Sequence, residues 1–412
     1  MPNLIGCPDC GAIQEMPPIS SGRLLCWRCH CPLERATGRA PGTAFACALT
    51  TLILLVPANL MLLMSVSKQG LSAQMHLASG IATIWHQEWP IVAVVVALEA
   101  VALPFLRFGL LAASLGAVLV GHSAAWVGPT FRRAEALDLW AMPDVFLIGC
   151  AIGYSRLAPF AGVTIGAGGW CFVGAALMAM LTRATLQRRR VWRRIMTPAA
   201  VTGDHPFSCN ACDMVVPAHS EGESCPRCGQ TLWRRRRNAM PFAMAFTLAG
   251  LLLYPVANLF PLSVLDWAAG TSPHTLFSAV ERLIGANLWF LAGCVFTTSI
   301  AIPFIKLIGM LWFYLSVRRR STRHLVFKTR FYRTIDELGR WSTMDIFTVA
   351  VYMPLIQFGQ LATVRIGAGL PALLAVVVLT MLASRCFDPR LLWDVAEANS
   401  ADVFSAEPVA AT

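Results

Sequence analysis

Charge is scarce in this chain. Charged side chains make up 13% of its 412 residues, where an ordinary globular domain carries about a quarter. Acids are the scarcer sign, with 22 Asp and Glu against 33 Lys and Arg. A chain this poor in charge does not read as an ordinary soluble globule. No GxxxxGK[ST] occurs anywhere, so no phosphate-cradling loop of an ATPase is encoded. The N-terminus, "MPNLIGCPDCG", lacks a basic start followed by an apolar core. The first residues are therefore expected to fold where they are made. No catalytic constellation stands out, and the expectation is a non-enzyme.

Apolar residues are abundant, at 56%. Phe45 to Val66, Ile91 to Leu106, Phe242 to Leu265 and Leu370 to Leu382 lie in or near apolar runs long enough to cross a bilayer as helix. The expected fold class is an all-α polytopic membrane protein. Fourteen cysteines could signal an oxidised, secreted chain, but eight of them stand in CxxC pairs. In a reducing compartment such pairs read as metal ligands.

The chain also repeats itself. "CPDC" and "CWRC" at 7–10 and 26–29 return as "CNAC" and "CPRC" at 209–212 and 225–228. "PANL" at 57–60 returns within "PVANL" at 255–259, "PFLR" at 104–107 as "PFIK" at 303–306, "WAMPDVF" at 140–146 as "WSTMDIF" at 341–347, and "IGAG" at 165–168 as "IGAG" at 366–369. The offset stays between 199 and 202 throughout. Each copy reads as a ribbon followed by four helices, expected near 44–66, 89–121, 141–158 and 167–184, then 242–264, 286–317, 343–359 and 368–385. The second helix of each copy contains a proline, so a kink is expected there. The implied organisation is a first ribbon at 1–43, a first bundle at 44–185, a basic linker at 186–203, a second ribbon at 204–241, a second bundle at 242–386 and a tail at 387–412. Of the 33 basic residues, 27 fall at the ribbon-side face and four (Lys68, Arg156, Arg282, Arg365) at the other. The positive-inside rule then places both ribbons and both termini in the cytoplasm.

Thiolate sulfur binds zinc tetrahedrally, and a CxxC turn offers two sulfurs on one side of a knuckle. Cys7, Cys10, Cys26 and Cys29 make one candidate shell, and Cys209, Cys212, Cys225 and Cys228 the other. Four thiolates leave no open position, which favours two structural zinc ions, with rubredoxin-like iron the chemical alternative. His30 and Cys31 follow the second knuckle and read as a surface histidine and a spare cysteine, since the shell is complete without them. Cys47, Cys150, Cys171, Cys294 and Cys386 read as apolar packing residues. The arginine runs at 188–190, 234–237 and 318–320 invite a nucleic-acid reading. Topology alone accounts for them, and contact with anionic lipid headgroups is the better expectation.

Ionisable groups inside a span are costly and mark function or pairing. Glu99, Arg107 and Lys306 lie in the second helices, and Asp144 and Asp345 near the starts of the third. Arg107 matches Lys306 and Asp144 matches Asp345, so each copy carries a base and an acid that can pair across neighbouring helices. In copy one the expected role is a structural lock. Copy two is more polar, with Ser342, Thr343, Asp345, Thr348, Thr297, Thr298, Ser299 and Lys306, and a working site there is equally expected. Asn59 and Asn258 follow proline in the first spans, where an amide can bond carbonyls that proline frees. "SVSKQGLSAQMHL", "GVTIGAG" and "ATVRIGAG" are β-prone. A small extracytoplasmic β element is expected from the loops after the first and third helices. Residues 78–88 read as an amphipathic interfacial helix.

The doubled four-cysteine ribbons, "VPANL", "YPVANLFP", "IPFIKL", "WSTMDIF" and the tail "FDPRLLW" at 387–393 resemble the paraquat-inducible protein A family over nearly the whole chain. Copy one departs in having Pro143 before Asp144 and Arg107 in place of lysine. The resemblance implies a multi-pass protein of a bacterial inner membrane, acting with a mammalian-cell-entry (MCE) domain tunnel protein to load or unload phospholipids. It implies no ATP hydrolysis, and a proton gradient acting on Lys306 and Asp345 is the candidate energy source. Two other readings stand beside it: a membrane anchor whose ribbons recruit a cytoplasmic partner, and a redox or stress-response protein. The last needs exposed low-pKa thiols, which complete zinc shells oppose.

Overall fold

The computed structural model of the chain describes residues 4–396, apart from 16–21, 37–40, 69–70, 123, 159–161, 197–205, 268–269, 286, 288 and 340–361. Copy one opens with two short hairpins. Strand β1 (Leu4–Gly6) pairs with β2 (Ile13–Glu15), and β3 (Gly22–Leu25) with β4 (Pro32–Ala36), both antiparallel. The first span, α1 (Pro41–Leu60), begins on a proline, which costs a helix nothing at its first position. Next come β5 (Met64–Lys68), β6 (Leu71–Met75) and the amphipathic α2 (Leu77–His86).

The second span runs from Pro90 to Leu119 as α3 (Pro90–Ala97), a π-helical turn at Leu98–Ala102, and α4 (Leu103–Leu119). The proline kink expected here is thus preceded by a widened turn. In such a turn each N–H reaches one residue further back, which loosens the ladder ahead of Pro104. Then follow α5 (Val127–Ala136), α6 (Pro143–Leu157), β7 (Gly162–Ile165), the fourth span α7 (Ala167–Thr185) and the basic α8 (Arg188–Ile195).

Copy two repeats the plan. Strands β8 (Phe207–Ser208) and β9 (Val215–Val216) pair, and α9 (Ala239–Leu259) leads to β10 (Ser263–Trp267), β11 (Gly270–His274) and α10 (Leu276–Gly285). Helix α11 (Trp289–Val295), a π turn at Phe296–Ala301 and α12 (Ile302–Arg318) reproduce the second span, and α13 (Leu325–Leu338) follows it. Strand β12 (Ala362–Ile366) and α14 (Gly369–Cys386) close the copy. Among the described residues seven helices are long and apolar enough to cross a membrane. The expected eighth, 343–359, falls outside the described residues, and with it Ser342, Thr343, Thr348 and Asp345.

In each copy the first and fourth spans pack side by side, α1 on α7 and α9 on α14. The contact stripe is small. Ala44, Ala48, Thr51, Leu55 and Ala58 are buried on α1, and Gly168, Gly169, Ala175, Ala176 and Ala179 on α7. Small residues let backbones approach where no hydrophobic drive exists between helices. The outward faces carry Ile53, Leu60, Ile91, Leu252 and Phe290, all exposed. Asn59 and Asn258 each donate to the carbonyl four residues back, Leu55 at 2.7 Å and Tyr254 at 2.8 Å. This corrects the expected partner, because the carbonyls that Pro57 and Pro255 free lie at residues 53 and 251. Position, four residues along the same face, decides the bond.

The expected β element is present in both copies. Strands β6, β5 and β7 form one three-stranded antiparallel sheet, and β11, β10 and β12 the other, at the ends of the spans opposite the hairpins. Gln87, just after α2, spans the copies. Its amide donates to Val364 O at 2.7 Å, and its carbonyl accepts from Ile366 N at 2.9 Å, closing the free edge of β12.

Candidate metal centres and buried charge network

All four knuckles fold alike. Each first cysteine's N–H bonds the residue five on, and its carbonyl accepts from the residue four on: Gly11, His30, Asp213 or Gly229. That residue takes a left-handed backbone, with φ of 75°, 57°, 56° and 67° in turn. Two are glycines, for which this costs little, and Asp tolerates it better than most. His30 therefore serves as a turn residue, its side chain exposed. Cys31 lies against the Cys29 and Cys7 thiols at the edge of the shell and donates to the Pro32 carbonyl at 3.7 Å.

Within each module the four sulfurs are buried and lie within 4.8 Å of one another. The closest pairs stand at 3.5 Å (Cys7–Cys29), 3.6 Å (Cys10–Cys26), 3.7 Å (Cys209–Cys228) and 3.6 Å (Cys212–Cys225). Thiolates about 2.3 Å from a zinc ion stand about 3.8 Å apart in a tetrahedron. Both sites therefore fit a four-coordinate ion in donor type and spacing, and neither leaves a position open.

The modules are crossed. The first packs on copy two: Ile5, Cys7, Cys26 and Leu33 share a core with Phe313, Tyr332, Phe387 and Trp393. Asp9 pairs with Arg333 of α13 at 2.6 Å, and the Arg28 guanidinium lies 4.9 Å from the Trp393 ring centre. Burial pushes the Asp9 carboxyl above its usual range, while Arg333 pulls it down. The second module packs on copy one. A Cβ on Gly128 of α5 would run into the Arg227 carbonyl, Arg132 donates to Gln230 at 2.5 Å, and Arg227 donates to Met196 O at 2.7 Å. The modules also touch each other, Gly6 against Ser208. Helix α8 ties them, with Arg193 on Glu34 of the first and Arg189 on Asp213 of the second at 3.2 Å. Arg390 of the "FDPRLLW" stretch does the same, donating to Pro8 O at 3.1 Å and Asn210 Oδ1 at 2.9 Å. Nothing in the spacing of the cysteines foretold Arg390 or the crossing. The tail motif was the available signal.

Inside the bundles, the direct Arg107–Asp144 pair expected in copy one gives way to a longer chain. Arg107 joins Asp138, Arg183 joins Asp138 at 2.9 Å, and Arg183 joins Asp144 at 2.5 Å. Arg183 also donates to the carbonyls of Asp138 and Ala141 at 3.1 and 3.3 Å. Arg183 and Asp138 were not singled out from sequence, because both sit near span ends where charge is ordinary.

Copy two differs at these positions. With the "IGAG" and "W…DVF"/"W…DIF" offset of 201, Asp138 corresponds to Gly339 and Arg183 to Ser384. Lys306 stands in place of Arg107, 1% exposed, its Nζ without a hydrogen-bond partner among the described residues. A Cβ on Gly339 would meet that Nζ. Ser384 donates to Asp336 Oδ1 at 3.1 Å instead. Glu99, in the first π turn, is buried with both carboxylate oxygens unbonded among the described residues, and corresponds to Thr298. In the second π turn, Tyr254 donates to Ile300 O at 3.1 Å.

Fold and sites together define a duplicated, multi-pass helical protein with two buried four-cysteine centres. The family model for "Paraquat-inducible protein A" matches residues 43–196 and again 242–397, once per copy. The chain belongs to that family. It is 28% identical over 399 residues to the "Lipophilic envelope-spanning tunnel protein A" of Escherichia coli strain K12, covering 96% of this chain and 92% of the relative. It is 25% identical over 405 residues to the "Intermembrane transport protein PqiA" of the same strain, covering 94% and 95%. A "Probable intermembrane transport protein" of Haemophilus influenzae is 25% identical over 410 residues, covering 95% and 96%. No solved structure matches the chain.

Proposed function

We propose that this protein is the inner-membrane component of a lipid transport system, passing phospholipids between its own bilayer and an MCE-domain tunnel protein. The relatives' names, which speak of an envelope-spanning tunnel and of intermembrane transport, support the class. The observation that carries the site is the asymmetry of the copies. Copy one holds four buried or half-buried charges in a closed chain, whereas Lys306 of copy two faces Gly339 where copy one has a carboxylate. A charge held without that partner is free to change state, and Asp345, with Ser342 and Thr343, is its proposed counterpart. Eight spans put both termini on the cytoplasmic side. The two metal modules hold zinc structurally: the ions cross-link the knuckles and take no part in transfer. The test is phospholipid transfer from liposomes containing the purified protein to its MCE partner. Lys306→Ala and Asp345→Asn are each expected to abolish transfer at normal expression and zinc content. Full transfer by both variants would refute the assignment.

A second reading, an anchor that recruits a cytoplasmic partner, is favoured by Trp27. It stands on the first module's knuckle 67% exposed. That reading requires Trp27→Ala to lose function with both ions retained.

A further inference from the structure

Three arginine runs flank the spans, and the structure separates them by what their charges meet. In the first, Arg188 pairs with Glu135 at 2.5 Å and Arg189 with Asp213. In the second, Arg235 pairs with Asp394, Arg236 donates to the carbonyls of Arg385 and Phe387, and Arg237 lies 5.7 Å from the Trp233 ring centre. These two runs are consumed by the fold. The third, at the corner between α12 and α13, leaves Arg318 and Arg319 outside any ion pair among the described residues. Residues 318–333 carry seven basic side chains and no acid, where the matching stretch of copy one carries two. Arg318, Arg319, Arg323 and Arg330 are exposed, and among the described residues none is in an ion pair. Among the described residues Arg318 donates to the neutral Tyr314 hydroxyl, at 3.2 Å.

Beneath them lies a buried cation that has no anion among its described hydrogen-bond partners. Lys328 is 3% exposed and donates to Ser316 Oγ at 2.5 Å and to Ser321 O and Oγ at 3.1 and 3.3 Å. Its oxygens are all neutral, so the positive field of the corner is not cancelled from within. Beside the cations is an aromatic ledge. Phe327, 58% exposed, and Phe331 stack at 6.0 Å, and Trp312 meets both edge-on at 6.3 and 6.1 Å. Exposed aromatic rings beside guanidiniums at the end of a span match the layering of a bilayer boundary, where rings sit at headgroup depth and cations reach phosphate. The corner lies at the module end of the bundle, since α13 touches the first module through Arg333 and Asp9.

We propose that the α12–α13 corner is a docking site for the phosphate of an anionic phospholipid, held by Arg318, Arg319, Arg323 and Arg330 with Lys328 supplying fixed charge behind them. The ledge of Trp312 and Phe327 receives the glycerol and upper acyl region. The inference needs only that the helices span a bilayer, so it stands or falls apart from the transport reading.

The test uses native mass spectrometry of the whole purified protein with added phosphatidylglycerol, phosphatidylcholine or inorganic phosphate. The wild type should retain phosphatidylglycerol over phosphatidylcholine. The exposed triple variant Arg318→Gln/Arg319→Gln/Arg323→Gln should lose that preference about 100-fold, at about fivefold per cation, and rising salt should erode it. The control Arg133→Gln/Arg194→Gln, exposed basic residues of copy one, should keep it. Four results would each overturn the proposal: equal retention of both lipids, a triple variant like wild type, a control variant that loses as much, or displacement of the lipid by inorganic phosphate at equal concentration.

Discussion

Arg183→Met tests whether the copy-one network is a structural lock. Arg183 makes four charge-assisted bonds, two to carboxylates and two to carbonyls. Its partners are not equal. The Asp144 side chain is 7% exposed and the Asp138 side chain 34%. Water screens Asp138, which also keeps Arg107, so its share of the loss is small, about 0–1 kcal/mol. Asp144 is left buried without its cation, and breaking such a pair costs about 3–5 kcal/mol. The single variant should therefore lose about that much stability in reversible denaturation of the detergent-solubilised protein followed by circular dichroism. Asp144→Asn in the same background removes the orphaned carboxyl, and about 2 kcal/mol should return. A single variant within about 1 kcal/mol of wild type, or a double variant no better than the single, would refute the reasoning.

Two further outcomes follow from the crossing and from the asymmetry. Cys212→Ser should lower the bound metal from two ions to one and open copy one's α5 and α8 to limited proteolysis, whereas Cys10→Ser should expose α13 and the 387–396 stretch of copy two. Cleavage that follows chain order instead would contradict the crossed packing. Gly339→Asp, at a helical φ of −58° and with the flexible end of Lys306 moved aside from the new Cβ, should give Lys306 the carboxylate that Arg107 has. Transfer should then stop without loss of thermal stability, and an active variant would sever Lys306 from function.

What was legible in the sequence was whatever repeats at short range. The four CxxC knuckles, the apolar runs, the strands after the first and third spans and α2 each announce themselves within about ten residues, because turn chemistry and hydrophobic periodicity are local. The π turns were not legible. Pro104 and Pro303 announce a kink but not the extra residue in the turn, and the second π turn's Ile300 carbonyl is capped by Tyr254, 46 positions away. The Arg183–Asp144 pair joins residues 39 apart, and the Arg390 bridge to Pro8 joins residues 382 apart. No pattern within one helix encodes such partners. Arg107 and Asp144 of copy one do share a network, but pairing them directly passed over Asp138 and Arg183, which look like ordinary boundary charges until the helices are placed.

The crossing bears on why both modules are kept. The two modules lie against each other at one end of the molecule, within reach of either bundle. The two bundles already share a buried apolar core, and Gln87 bonds β12 at the far end. Crossed, each module is part of the other copy's core, and α8 and Arg390 fasten the two modules to each other. Movement of one bundle must then displace a module carried by the other. Copy one closes its charges in a chain, and copy two sets Lys306 beside a glycine, the contrast on which the proposed site in copy two rests. The proposal therefore turns on divergence at two positions, Asp138 to Gly339 and Arg183 to Ser384.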